Sequence, residues 1–364
     1  MKIALVHDHV NQIGGAERVV CEMHDIWKDA PLYTIVHDKK NIGDFFNGME
    51  IKTSFLQKLP FSLKNLRWFL PLMPSVVESF DFSGYDVVLS SASAFCKGVI
   101  VPPKTINFCY CHTPTRYLWS DSKNYLNDLG SGFFIKKILF FLLNRMRVWD
   151  FLAAQRVDYF IANSNFISDR IKRYYNRTSK VIYPPVDTLN YPELEKMNYY
   201  IIVSRLRPYK KIDLAIRAFN RIRMNLVIVG DGEERKRLEK IAGKNIFFTG
   251  SVCEKTKKKL LAQARGFIHP QEEDFGISAV EAMAAGCPVI AYKSGGILET
   301  VIDKKTGWFF EEQTWQSLAN AVIRFSRHKF DYSAIRKHAQ AFSKERFRKE
   351  LKFFIEQKYH ENRN

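Results

Sequence analysis

What most constrains the fold of this 364-residue chain is an alternation of short, almost unbroken apolar runs with amphipathic stretches. KIALVHDHV, YTIVHD, DVVLSS, INFCYCH and DYFIANS lie in the first half, and YYIIVSRL, NLVIVGDG, IFFTGSV, GFIHP and PVIAY in the second. Runs this short and this apolar suit strands covered on both faces, and intervening segments such as ERVVCEMHDIW and KIDLAIRAFNRI carry helical spacing. The pattern predicts an α/β protein with two doubly wound, parallel-sheet domains in series. The Pro-Pro pair within VIYPPVDTLNYPELEKMN (181–198) ends one pattern before the next begins and marks the linker. The expected organisation is a first domain over 1–187, a second over 188–341 and a terminal amphipathic helix over 342–364. In that helix Phe347, Leu351, Phe354 and Ile355 form one stripe, with Ser343 as N-cap and Glu345 in the first turn. The stripe needs a surface to cover it, either its own domain or, on returning, the first one.

An apolar fraction of 46% with 14% aromatic residues excludes a disordered chain, and six cysteines without metal spacing exclude a disulfide or zinc scaffold. Cys109 and Cys111 fall on one face of a strand, as reduced thiols of a cytoplasmic protein. The net charge of +18 leaves three partners open: nucleic acid, an acidic small molecule or an anionic membrane. It divides evenly, +6 in each of 1–187, 188–300 and 301–364, so no basic tail accounts for it. Within the first segment the excess sits in two stretches rich in Phe, Leu and Trp. Residues 51–75 carry Lys52, Lys58, Lys64 and Arg67 without an acid, and 131–150 carry Lys136, Lys137, Arg145 and Arg147 against Asp150.

On a helical wheel SGFFIKKILFFLLNRMRVWD groups Lys136, Lys137, Asn144, Arg147 and Asp150 on one side, with Arg145 the exception among the apolar residues opposite. This is the pattern of an interfacial membrane helix, and Trp68, Phe69 and Leu70 of 51–75 would be a second anchor. No apolar run approaches the ~18–20 residues a span needs, and MKIALVHDHV turns polar too early for a signal peptide. The expected location is the cytoplasm, peripheral on the inner face of the cytoplasmic membrane. No aromatic-basic stacking motif supports nucleic acid as a partner.

Ligands of open α/β sheets bind beyond the carboxyl ends of the strands. There the first domain offers Gly14-Gly15 opening a helix, a turn that lacks the dinucleotide GxGxxG pattern. The second offers SRLRPYKK (204–211), where Arg205 and Lys210 can neutralise a diphosphate while Lys211 reads as a solvated helix end. GDGEER (230–235) reads as a turn. HPQEEDFGISAVEAMAAGCPVIAYKSGG (269–296) sets Glu273 and Glu281 eight apart, around Phe275-Gly276 and a helix that stops at Gly286. Two buried carboxylates need donors, and sugar and ribose hydroxyls supply them, although the spacing alone fits a surface pair equally well.

At these residues the chain resembles the retaining glycosyltransferases of family 4. EDFGISAVE matches their Glu-x7-Glu motif and SRLRPYKKIDLAI their diphosphate-binding segment. GGAERVV, YCHTPTRYLW and ETVIDKKTGWFF are also similar to the family, in particular to bacterial mannosyltransferase-like members that build surface polysaccharides. The resemblance implies a GT-B fold, two Rossmann-like domains facing a central crevice, with the donor held by the C-terminal domain and the acceptor by the N-terminal one. It implies that Arg205 and Lys210 grip the donor diphosphate and that Glu281 binds the ribose. Glu273 would contact hydroxyls of the transferred sugar, and Phe275 and Gly276 would offer backbone contacts. Gly15 would lie near the phosphates or acceptor, His112 would face the donor sugar, and Glu299 is a weaker nucleotide-side candidate. It further implies a hexosyl donor, GDP-mannose by likeness to the mannosyltransferases, and a glycan or lipid-linked oligosaccharide acceptor. No DxD-like pair argues for a metal. A UDP-sugar donor, a nucleotide-sugar epimerase and a basic nucleic-acid-binding protein stand as alternatives.

Overall fold

The computed structural model of the protein describes residues 1–63, 65–122 and 133–363. It divides into two compact units, residues 1–183 with 347–364 and residues 184–346. The first is built on a seven-stranded sheet. Its strands are β1 (Ile3–His7), β2 (Leu32–Thr34), β3 (Ile51–Thr53), β4 (Val87–Ala92), β5 (Ile106–Cys111), β6 (Tyr159–Ala162) and β7 (Ser179–Val181), in the order β3-β2-β1-β4-β5-β6-β7. All pairings are parallel, and β1 lies between β2 and β4 with Ile3 opposite Val87 and His7 opposite Ser91.

Both faces of this sheet are buried, which is why its central strands read as unbroken apolar runs. Ala4, Val6, Val88, Cys109 and Cys111 face one core with Val76, Leu143 and Met146. Ile3, Leu5, Val87, Leu89, Phe108 and Tyr110 face the other. The C-terminal helix, Lys344–Glu361, closes that second core: Phe347, Leu351, Ile355 and Tyr359, spaced by four, are buried against it. Each such side chain contributes roughly 1.5–3 kcal/mol of burial. Arg348 fixes the register by donating to Glu22 at 2.7 Å and Asp25 at 2.5 Å on the first helix, Gly15–Ile26. The terminal stripe therefore returns to the first domain, and the hydroxyl of Ser343 accepts the Arg346 amide as an N-cap does.

The second unit carries a six-stranded parallel sheet of β8 (Tyr200–Val203), β9 (Leu226–Val229), β10 (Ile246–Gly250), β11 (Gly266–His269), β12 (Val289–Tyr292) and β13 (Gly307–Phe310), in the order β10-β9-β8-β11-β12-β13. In each sheet the strand order reverses beside the first strand of that unit, the switch point at which open α/β sheets leave a ligand site.

One expectation needs correction. The stretch 131–150 does form a helix, Phe133–Gln155, but Arg147 and Asp150 of the wheel's polar side turn inward. Asp150 is fully buried, and the Arg147 guanidinium donates to the Leu118 carbonyl at 2.7 Å. The reason is a set of four donors waiting for that carboxylate. Lys97 Nζ at 2.5 Å and the Thr115 hydroxyl at 2.8 Å share one oxygen, while Trp119 Nε1 and the Tyr175 hydroxyl, both at 2.8 Å, share the other. What the helix exposes instead is Phe140, Phe141, Val148 and Leu152, with Lys137 and Arg145 beside them. Residues 131 and 132, the side chain of Lys136 and residue Lys64 lie outside the described residues.

Candidate functional site

In the second unit the carboxyl ends of β8 and β11 bring Lys210 and Glu273 into an ion pair, each side chain mostly buried. Lys210 closes the short helical turn Pro208–Lys210, and Lys211 turns left-handed (φ +51°) to start the helix Ile212–Ile222. Its neighbour Arg205 stands exposed on the loop after β8. That loop is clamped by the Gly-Asp-Gly turn, which does more than reverse the chain. A side chain on Gly230 would come within 2.0 Å of the Ser204 carbonyl, and one on Gly232 within 2.4 Å of that of Leu206. Only glycine lets the two backbones approach this closely.

Glu273 is placed by a comparable device. Its carbonyl accepts the Gly296 amide at 2.8 Å, and a Cβ on Gly295 (φ +83°) would lie 2.4 Å from the same oxygen. The Gly295-Gly296 pair, which only closes the 269–296 stretch in the sequence reading, is what seats the Glu273 loop. Beside it is His269, buried at the end of β11, with Nε2 3.7 Å from Glu273 and without a hydrogen bond. Burial and the Lys210 cation push this imidazole down to about 3, so it is neutral.

Phe275 is buried, with its ring 5.7 Å from that of Phe342. Gly276 (φ +91°) caps the helix Ile277–Ala284. Glu281 emerges from that helix's second turn, nearly buried, and both its oxygens accept from Lys257 Nζ at 3.1 and 3.2 Å. Sequence reasoning missed Lys257. It sits in a charge run, and the available signal was its place four residues before buried Leu261 on one helix face. Glu299 is half-buried in the short helix Ile297–Thr300.

The first unit assembles a second cluster at the ends of β1, β4 and β5. Gly15 begins the helix Gly15–Ile26, and two residues on, Glu17 turns inward to lie 3.7 Å from His7 Nε2. His7 Nδ1 donates to the Ser91 carbonyl at 2.9 Å and reaches the Ser91 hydroxyl at 3.2 Å. That hydroxyl lies 2.8 Å from His112 Nε2. Burial works against a charge on His7, but the hydrogen bond and charge of Glu17, with Asp8 and the Ser91 carbonyl, outweigh it and raise its pKa. Burial and the His7 cation hold His112 down to about 4. Next to His7, buried Asp8 accepts four consecutive backbone amides, Ser93 through Cys96, at 2.7–2.8 Å. Against the burial that would raise it, its two histidine neighbours and these amides keep its carboxyl below the usual range. Of this cluster only Gly15 and His112 were singled out from sequence. His7, Asp8, Glu17 and Ser91 were missed, although HDH ending a strand was a visible signal.

The fold and the two clusters define a class: two Rossmann-like parallel sheets, the second presenting a paired Lys and Glu at its strand ends. Residues 190–345 match the family model "Glycosyl transferases group 1", and the chain is a glycosyltransferase of GT-B fold. Among curated proteins, the alpha-1,3/1,6-mannosyltransferase alg2 of Schizosaccharomyces pombe is 25% identical over 372 residues, covering 85% of this chain and 70% of its own. The Candida glabrata alpha-1,3/1,6-mannosyltransferase ALG2 is 26% identical, covering 85% of this chain and 81% of its own. Among solved structures, Anabaena HepE in complex with UDP and glucose superposes with a TM-score of 0.70 at 20% identity, over 98% of this chain and 99% of that one. Sucrose-phosphate synthase from Thermosynechococcus elongatus does so with 0.73 at 18% identity, over 98% and 99%.

Proposed function

We propose that the protein moves a mannosyl group from GDP-mannose to a lipid-linked glycan with retention of anomeric configuration. The observation that carries this reading is the Lys210–Glu273 pair, seated by two glycine clamps in a chain similar over most of its length to enzymes named mannosyltransferases. In this reading the second unit, 188–341 in the sequence division, takes the donor, and the first, 1–187, takes the acceptor. Arg205 and Lys210 receive the diphosphate, and Glu273 holds hydroxyls of the transferred sugar. Glu281, held by Lys257, receives the ribose. The bond from the anomeric carbon to the phosphate oxygen breaks, that carbon bonds to the acceptor oxygen, and the acceptor's proton leaves with the diphosphate. Fixed cations at the departing oxygens lower the barrier because negative charge grows there. His112 and Gly15 are assigned to the sugar and the phosphate or acceptor, and Glu299 to the nucleotide side.

A thermal-shift screen of GDP-, UDP- and ADP-sugars tests the donor. Stabilisation by GDP-mannose is expected, and stabilisation by UDP-glucose or UDP-GlcNAc with none by GDP-mannose overturns that choice.

The acceptor side is assigned to an anionic membrane surface. Among the described residues no helix is long and apolar enough to cross a membrane. Support comes from Phe140, Phe141, Val148 and Leu152 on the helix and Phe55, Phe61, Trp68 and Leu72 on the 51–75 segment, all exposed. The inner sides of both segments, Leu143 and Met146 on one and Leu56 and Met73 on the other, pack into the same core, so both cover one face of the first sheet. Exposed apolar side chains beside Lys137, Arg145 and Lys58 fit a lipid interface. Sedimentation with anionic liposomes at low salt is expected, and Phe140/Phe141→Ser should abolish it; unchanged sedimentation of that variant refutes the assignment.

A further inference from the structure

The hydrogen bonds of the histidine cluster restrict where each proton can sit. The Ser91 carbonyl can only accept, so His7 Nδ1, 2.9 Å away, carries a hydrogen. The same N–H reaches the Ser91 hydroxyl oxygen at 3.2 Å, which uses that oxygen as an acceptor and leaves its own hydrogen for His112 Nε2 at 2.8 Å. With that hydrogen donated to it, Nε2 of His112 is an acceptor, and a neutral imidazole that accepts at Nε2 carries its proton on Nδ1. At the other end of the chain, Glu17 faces His7 Nε2 at 3.7 Å, with both side chains buried.

We propose that Glu17, His7 and Ser91 form a positioning relay that locks His112 in its neutral, Nδ1-protonated form, so that it serves as a directed hydrogen-bond donor to a sugar hydroxyl and never as a cation. The proposal rests on the assignment of His112 to the sugar made above. Its chemical sense lies in the charge of the reaction. Positive charge develops on the sugar ring as the glycosyl–phosphate bond breaks, and an imidazolium beside the ring would oppose it, whereas a neutral N–H can orient a hydroxyl without that penalty.

In the relay the positive charge belongs on His7, behind Ser91, where acids can balance it. The groups facing His7 are Asp8 and His9 from its own strand end, Glu17 from the first helix and His112 from the end of β5. Glu17 and Asp8 favour the charge. His9 lies near the same acids and is itself held below its ordinary value, first by burial and then by His7. The proton on His7 also sustains the relay: without it, the Nδ1 hydrogen would be shared between two tautomers, and Ser91 could turn its hydroxyl towards His7 instead of His112.

Two measurements on the full chain test this. Two-bond 1H–15N spectra, with the His112 signals assigned by their disappearance in His112→Gln, should show His112 Nε2 unprotonated at pH 7. In steady-state transfer, Ser91→Ala should lower kcat about tenfold, the worth of one oriented hydrogen bond, with donor KM unchanged. Ser91→Thr should restore both kcat and the tautomer, and Glu17→Gln should move the alkaline limb of the kcat profile to lower pH. A wild-type spectrum with the proton on Nε2 overturns the relay whether or not any variant folds. So does a Ser91→Ala enzyme with wild-type kcat and an unchanged His112 tautomer. If instead His112→Gln turns over like the wild type, the assignment of His112 to the sugar fails, while the spectrum still reports on the relay.

Discussion

Replacing Asp150 by Asn keeps the shape of the side chain and removes its charge. In the native fold four donors converge on its two oxygens, two on each, at 2.5–2.8 Å. An amide presents one oxygen and one NH2, so two of those donors would meet hydrogens, and Lys97, itself fully buried, would lose its counter-charge. Breaking one side of a buried ion pair typically costs about 3–5 kcal/mol, and the orphaned donors belong to the same loss rather than adding to it. With a urea slope of about 2–3 kcal/mol/M the midpoint should fall by about 1–2.5 M. An internal reference exists in Arg207 and Glu233, an ion pair whose side chains are both substantially exposed. Glu233→Gln should change stability by no more than about 1 kcal/mol. If Asp150→Asn and Glu233→Gln shift the midpoint equally, the reasoning about the buried network is wrong. The effect should also reach activity, because Asp150 holds Thr115 and Trp119, which follow His112 in the YCHTPTRYLW segment.

Lys257→Met should raise the donor KM while leaving kcat near wild type, since it removes the side chain that holds both Glu281 oxygens in place without touching the reacting atoms; steady-state kinetics read this directly. Gly295→Ala is strained twice, by its positive φ and by the 2.4 Å approach to the Glu273 carbonyl, and should cut transfer while far-UV circular dichroism stays native. Stability should decline as pH falls below the ordinary histidine value of 6.5 towards about 4. In that window the unfolded chain takes up protons that buried His112 and His269 refuse in the native state, so urea midpoints at pH 7 should exceed those at pH 4.5.

The fold was legible because parallel strands buried on both faces cannot hide their composition: β1, β4, β5, β8 and β11 all overlap runs picked out on hydrophobicity alone. The short strands Ile51–Thr53 and Ser179–Val181, at the two edges of the first sheet, were not marked. An edge strand of three residues carries one or two apolar side chains, too few for a periodic signal. In the candidate site, residues that stand in recognisable motifs were singled out from sequence, and those joined to them only by long-range contact were not. Lys257 looked like one charge among several, and its value lies in Glu281, 24 positions along the chain. Ser91 meets His112 only because β4 and β5 are neighbours. Asp150 shows the converse error: a wheel ranks polarity around a helix but cannot know that four donors wait in the core to offset the burial of a carboxylate.

The central claim is that Lys210 and Glu273 form the core of a mannosyl-transfer site. Its most direct test is transfer of labelled mannose from GDP-mannose to extracted membrane glycolipid by the purified chain, comparing wild type with Glu273→Ala and Lys210→Ala. The account predicts labelled product from the wild type and at least a ~100-fold loss in each variant, with unfolding midpoints close to wild type. Wild-type turnover in either variant would contradict it.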